Sequence, residues 1–181
     1  MRLYLIRHTK PDILSGICYG QSDVPVKESD IAELIPAIKA RCPDGIPVYS
    51  SPLSRCLKLA QQLNTDPIVD TRLMELNFGS WEMQTWEQIP REQIDAWAAD
   101  TVNYAPGGRE NLVQMTNRVI AFITDLQEHA VEQAVVICHS GIIKILSTWQ
   151  SGNTSVDLAQ RVAKMHVNIE FGSCIEREIL M

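Results

Sequence analysis

Basic residues suited to phosphate chemistry occur at three separate places in the sequence. Arg7 and His8 follow an apolar run at the N-terminus, and Arg55 lies in a segment that begins Ser-Ser-Pro. His139 follows a second apolar run much later in the chain. An arginine guanidinium binds a phosphoryl group through paired hydrogen bonds, and a neutral imidazole can attack phosphorus to form a covalent intermediate. These residues therefore predict phosphoryl chemistry, provided that the fold brings them together.

A phosphoryl transfer also needs a proton for the leaving oxygen, and Glu75 is the candidate donor. Its neighbours Met74, Leu76 and Phe78 are apolar, so desolvation together with a substrate dianion would favour the protonated carboxyl group. The simpler interpretation is a structural carboxylate paired with Arg72. In the catalytic scheme arginine and histidine supply the positive charge, so we expect no metal and no other cofactor.

The elements that must position these residues alternate between strands and helices. Apolar and β-branched runs predict the following strands, with further short strand-like runs from about residue 167: Arg2–Ile6, Ile46–Ser50, Ile68–Val69 and Ala134–Cys138. Helical periodicity and capping signals predict the following helices: Ser29–Arg41 with Pro36 as a kink or early end, Ser51 to about Leu63 with Ser51 as the cap, Asn111–Ala130, and Gly141–Gln150. The Trp-rich region 71–109 is predicted to be irregular, with short helical pieces near Trp86 and over Ile94–Ala99.

This alternation predicts an α/β fold, a three-layer α/β/α sandwich with a mainly parallel central sheet. Ligands of such folds bind beyond the carboxyl ends of the strands. Arg7, His8 and His139 directly follow predicted strands, and Arg55 lies a few residues after another. We therefore expect all four at one edge of the sheet, where two helix N-termini also favour an anion.

Length and composition narrow the remaining choices. The 181 residues predict a single domain over 1–181. A net charge of -6 argues against a broad surface for nucleic acid or an anionic membrane, and no apolar run approaches the ~20 residues of a membrane span. The five cysteines are scattered, without a Cys-x-x-Cys pair, which is typical of reduced thiols in the cytoplasm.

Four segments resemble the signature motifs of the histidine phosphatase (phosphoglycerate mutase-like) superfamily, in the family's order. They are RHT at 7–9, SSPLSRC at 50–56, MELNFGSWE at 74–82 and VICHSG at 136–141. The resemblance implies the phosphoglycerate mutase-like fold and a phosphohistidine intermediate on His8. It further implies a phosphate pocket of Arg7, Arg55 and His139, with Glu75 as the proton donor.

Other features bear on the substrate. The stretch GICYGQSDVP at 16–25 is similar to an α-ribazole-phosphatase-like subgroup. That resemblance implies α-ribazole 5′-phosphate, late in cobalamin synthesis, as the substrate. Tyr19 and Gln21, which lie in this stretch, are candidate substrate contacts. Two departures set the chain apart from many members: an asparagine is missing after RHT, and Arg109 alters the family's G-G-E-S segment. Phosphoglycerate mutases of this family usually carry an insertion that retains the phosphate for transfer back to the substrate. This chain is short, so we expect a more open site in which water is the phosphate acceptor.

Several alternatives remain open at this stage. A broad-specificity phosphatase for sugar phosphates or nucleotides, or a mutase-like transferase, would use the same motifs. A cysteine phosphatase would need Cys138 as nucleophile, but Lys144 stands where its loop requires arginine. A non-enzymatic phosphate-binding domain and a metal hydrolase built on His8 and His139 are the other candidates. An exposed apolar edge of the sheet would permit a homodimer.

Overall fold

A computed structural model describes residues 1–179, and the last two residues of the predicted domain lie outside the described residues. The strands of this part of the chain are β1 (Arg2–Arg7), β2 (Val48–Ser50), β3 (Ile68–Val69), β4 (Gln133–Cys138) and β5 (Cys174–Glu178). Its α-helices are α1 (Glu28–Lys39), α2 (Ser54–Leu63), α3 (Arg91–Ala99), α4 (Leu112–Glu128), α5 (Ser140–Thr148) and α6 (Ser155–Ala163). None of these helices combines the length and the apolar character needed to cross a membrane.

The strands form one mixed, mostly parallel sheet in the order β3-β2-β4-β1-β5. Neighbouring strands from β3 to β1 pair in parallel, and β5 pairs antiparallel with β1. Ile6 of β1 and Ser50 of β2 both pair with Ile137 of β4. The carboxyl ends of three adjacent strands are therefore level, which places the residues that follow them at one edge of the sheet.

Helices cover both faces of the sheet, so the predicted three-layer α/β fold is confirmed. In β1, Leu3 and Leu5 pack in the apolar core that includes α4, α5 and α6. Tyr4 and Ile6 pack in the opposite core with α1 and α2. This alternation follows from the two-residue period of a strand, and burial on both faces explains the nearly continuous apolar sequence of β1 and β4.

The structure differs from the predicted elements in several places. Helix α6 was not predicted, although Thr154 and Asp157 form a capping box, which is a sequence signal for the start of a helix. Helix α2 begins at Ser54 after Leu53, so the prediction of Ser51 as its cap is wrong. The chain around Trp86 forms turns and not a helical piece, because its backbone pairs with the segment near Gly16. Helix α1 continues through Pro36 to Lys39.

Candidate active site

His8 lies where β1 ends, with its side chain only 2% exposed. Its backbone N–H donates to the carbonyl of Cys138 at 3.0 Å, which ties the residue to the end of β4. The ring Nδ1 lies 2.7 Å from the carbonyl of Thr9 and donates to it, so Nε2 keeps its lone pair. Burial and the nearby Arg55 and Arg7 guanidinium groups lower the pKa of His8 to about 3. The imidazole is therefore neutral near pH 7, the form in which a histidine acts as a nucleophile.

Arg7, the last residue of β1, is held by the segment that leads into β5. Its guanidinium lies over the ring of Phe171 at 3.7 Å and donates from Nη1 to the carbonyl of Ile169. Its buried Nε has no hydrogen-bond partner among the described residues. A stacked guanidinium with an unused donor is well placed to bind an anion.

Arg55, in the first turn of α2, is fully buried, although an arginine near the start of a helix is by default a solvated residue. Its Nη1 and Nη2 donate to the carbonyls of Ser22 at 2.8 Å and Gly20 at 2.6 Å. The Nε atom has no partner in the described chain, and the ring of Tyr19 lies 5.0 Å from the guanidinium carbon. Arg55 thus joins the loop at 19–23 to the carboxyl edge of the sheet.

His139 follows β4 and is fully buried. Its ring centroid lies 5.0 Å from that of His8, and its Nε2 is 2.9 Å from the Ser51 hydroxyl. Nδ1 is buried without a hydrogen-bond partner in the described residues. Burial is the main reason why the pKa of His139 lies well below its usual range, and the neighbouring His8 lowers it further. The structure therefore brings together both histidines, as the sequence predicted.

Glu75 lies beside the start of α5. Its Oε1 accepts from the backbone N–H of Leu76 at 3.0 Å, and its Oε2 accepts from that of Gly141 at 3.2 Å. A Cβ atom at position 141 would lie 2.3 Å from Glu75 Oε1, so glycine is required for this approach. Arg72 pairs with Asp70 and Asp125 instead, at the other end of this segment. The interpretation of Glu75 as the structural partner of Arg72 is therefore wrong.

An ion pair that sequence reasoning missed positions Glu75. Arg118 of α4 donates to the backbone carbonyls of Met74 at 2.6 Å and Glu75 at 3.0 Å, and also to that of Arg72. Glu110 accepts from Arg118 Nε at 2.7 Å. Glu110 directly follows Arg109 in the segment that corresponds to the family's G-G-E-S, but nothing in the sequence marks an arginine inside a helix, such as Arg118, for this role.

The two predicted substrate contacts occupy different surroundings. The Gln21 amide donates to the carbonyl of Glu75 at 2.9 Å and accepts from Asn77 at 3.1 Å, so both its ends bind protein. Glu82, which sequence reasoning left without a role, accepts from the backbone of Gln21 at 2.9 Å and holds this loop. Tyr19 is partly buried beside Arg55 and faces a cavity. Substrate contact by Gln21 and Tyr19 stays a prediction.

The two arginines of the site have no carboxylate of the described chain in direct contact. Within residues 1–179, no carboxylate oxygen lies within 4.0 Å of the Arg7 or Arg55 guanidinium. The hydroxyl of Thr9 is also buried without a hydrogen-bond partner in this part of the chain. Buried charges and donors are normally paired, because leaving them unpaired costs several kcal/mol. The arrangement is therefore suited to an anion with several oxygen atoms.

Comparison with known proteins agrees with this geometry. Residues 3–169 match the model of the histidine phosphatase superfamily (branch 1). The adenosylcobalamin/alpha-ribazole phosphatase of Salmonella typhimurium is 26% identical over 157 residues, which cover 81% of this chain and 77% of the relative. The putative phosphoserine phosphatase 2 of Hydrogenobacter thermophilus is 24% identical, over 78% of this chain and 74% of the relative.

A solved structure shows the same fold. The alpha-ribazole phosphatase from Shigella flexneri superposes with a TM-score of 0.80 at 24% identity, over 99% of this chain and 91% of that chain. The chain belongs to the histidine phosphatase superfamily, and it is a phosphoric monoester hydrolase that acts on a phosphate ester. The recognition of the four motifs is thereby confirmed. Cys138, the nucleophile of the cysteine-phosphatase alternative, is fully buried in the apolar core, where burial raises the pKa of its thiol well above the usual range.

Proposed function

We propose that this chain dephosphorylates α-ribazole 5′-phosphate, within cobalamin synthesis, through a phosphohistidine intermediate on His8. The observation that carries the reaction is a neutral, buried imidazole beside the buried Arg55 and the partly buried Arg7, neither of which has a carboxylate partner in the described residues. Support for the substrate comes from the relative named adenosylcobalamin/alpha-ribazole phosphatase and from the similar stretch at 16–25.

In the first step, the Nε2 lone pair of His8 attacks phosphorus while the bond from phosphorus to the ester oxygen breaks. Glu75, as the carboxylic acid, gives its proton to that leaving oxygen. Arg7 and Arg55 donate to the phosphoryl oxygens, where charge develops in the transition state, and His139 completes the pocket. The products of this step are the free alcohol, phosphorylated His8 and the Glu75 carboxylate.

In the second step, water attacks the phosphorus of the phosphohistidine. The Glu75 carboxylate now takes a proton from the water as the bond between nitrogen and phosphorus breaks. Inorganic phosphate leaves, and His8 and Glu75 return to their starting forms. The reaction needs no redox partner and no cofactor, and the described residues contain no cluster of three or more His, Cys, Asp or Glu side chains placed to hold a metal ion.

We also infer a single domain over residues 1–181 and a cytoplasmic enzyme without nucleic-acid or membrane partners. The single sheet supports the first inference. The net charge of -6 and the five free cysteines support the second. The edge strand β3, with Ile68 and Val69 about half exposed, is the surface on which a homodimer would form.

The test is phosphate release from α-ribazole 5′-phosphate, phosphoserine and sugar phosphates in the presence of EDTA, with wild type and two variants. His8→Ala should abolish turnover and the acid-labile phosphoenzyme, whereas His166→Ala, which removes an exposed histidine, should retain both. Turnover by His8→Ala at the wild-type rate would refute the mechanism. A kcat/KM no higher for α-ribazole 5′-phosphate than for the other esters would refute the substrate and leave the phosphatase.

A further inference from the structure

A cavity of about 490 Å³ is lined in part by Glu75. Its volume lies within the range of small-molecule sites. One wall consists of Phe78, Trp86 and Trp97, and helical residues such as Met115 line it elsewhere. Since Glu75 is the proposed donor to the leaving oxygen, a group attached to that oxygen would enter this cavity.

Ring packing and a backbone hydrogen bond hold the aromatic wall in place. The rings of Trp86 and Trp97 are parallel within 5°, with centroids 6.2 Å apart, and Phe78 meets both edge-on. The backbone N–H of Trp86 donates to the carbonyl of Gly16 at 3.0 Å, which fixes this turn against the preceding loop. Trp86 lines the cavity and is 40% exposed, so part of its side chain is accessible to a ligand.

The charges around the cavity restrict what it accepts. Lys144, on α5, lines the cavity, and no carboxylate oxygen of residues 1–179 lies within 4.0 Å of its Nζ. The Glu75 carboxyl already accepts from two backbone N–H groups. A cationic ligand would therefore meet an unpaired ammonium, whereas a neutral ring with an acceptor atom would gain a donor.

We propose that this cavity is the subsite for the leaving group, that it takes a planar heteroaromatic base without positive charge, and that Trp86 is the residue that selects for it. The proposal rests on the proposed phosphatase function and deepens it. Benzimidazole and purine bases belong to the accepted class. Serine and simple sugars have no aromatic face, so their phosphates would not use the wall.

The experiment compares kcat/KM for α-ribazole 5′-phosphate with kcat/KM for ribose 5-phosphate, which keeps the same phosphate and a five-carbon sugar but lacks the base. Wild type should prefer the ester with the base by at least tenfold. Trp86→Ala should lower that ratio about tenfold, the factor expected when one base-to-aromatic stack is lost. Trp86→Phe keeps an aromatic face and should retain most of the preference.

Val156→Ala is the matched control, since it removes an exposed apolar side chain on α6 that does not line the cavity, and its ratio should equal that of wild type. Equal ratios for wild type and Trp86→Ala would overturn the subsite. Equal kcat/KM values of wild type for the two esters would also overturn the subsite, but would leave the phosphatase activity established. Absence of turnover with every ester would instead overturn the proposed function. Circular dichroism and the rescue by Trp86→Phe separate a lost stack from a lost fold.

Discussion

The buried imidazole of His8 makes the stability of the protein sensitive to acid. Its pKa is about 3 in the folded protein, because of burial and of Arg55 and Arg7, against an ordinary value of 6.5. Below pH 6.5 the unfolded chain binds a proton that the folded chain does not bind. The free energy of unfolding therefore falls as pH drops from 6.5 towards 3, and the full stability is present above 6.5.

The size of the effect follows from these two pKa values. At pH 5 the loss of unfolding free energy due to His8 is RT ln(1 + 10^1.5), or about 2 kcal/mol, and at pH 3 the loss is about 4 kcal/mol. A loss of about 2 kcal/mol corresponds to a decrease in Tm of about 4–8 °C for a chain of this size. His139, whose pKa is also depressed by burial, adds to the total in the same direction.

Urea unfolding at pH 7 and pH 5 tests the argument. His8→Gln removes the titrating ring, so its free energy of unfolding should fall by about 2 kcal/mol less than that of wild type between the two pH values. The control His166→Gln replaces an exposed histidine outside the site and should keep the wild-type difference. An equal decrease for wild type and His8→Gln would refute the claim that a neutral, desolvated His8 forms this site.

Three further predictions concern the reaction. Glu75→Gln should slow alkyl phosphates about a hundredfold but p-nitrophenyl phosphate far less, and equal slowing would argue against its acid role. Gly141→Ala places a Cβ atom 2.3 Å from Glu75 Oε1, so it should reproduce that dependence on the leaving group in steady-state kinetics; slowing both ester classes alike would contradict this. Arg55→Lys removes the bidentate guanidinium group and its hydrogen bonds to Gly20 and Ser22, so it should lower kcat/KM roughly hundredfold. A decrease below threefold would show that Arg55 does not bind the phosphate.

The positions of the proposed reactive residues could be predicted because each is tied to a local sequence pattern. Arg7 and His8 end an apolar strand, and His139 does the same for β4, so the general rule for parallel sheets brings them together. The burial of Arg55 was implied only by its motif, because a lone arginine near a helix start is usually solvated.

The missing parts of the prediction depend on contacts between distant segments. Arg118 reaches the carbonyl of Glu75 across 43 positions of sequence, and the wall at Trp86 depends on pairing with Gly16. Ser51 was read as a helix cap, but its hydroxyl instead contacts His139 at 2.9 Å. Short-range periodicity contains no information on such partners.

The bonds from Arg55 to the carbonyls of Gly20 and Ser22 have a consequence for selectivity. The guanidinium that is proposed to bind the phosphate also holds the loop that carries Tyr19, so phosphate binding and ordering of the loop would be thermodynamically linked. Linkage is reciprocal: an anion that fixes Arg55 also steadies the loop, and a steady loop presents Arg55 correctly to the anion. A substrate whose leaving group displaces this loop would therefore weaken the interaction between Arg55 and its own phosphate. Poor fit of the leaving group would thus lower the affinity for the phosphate.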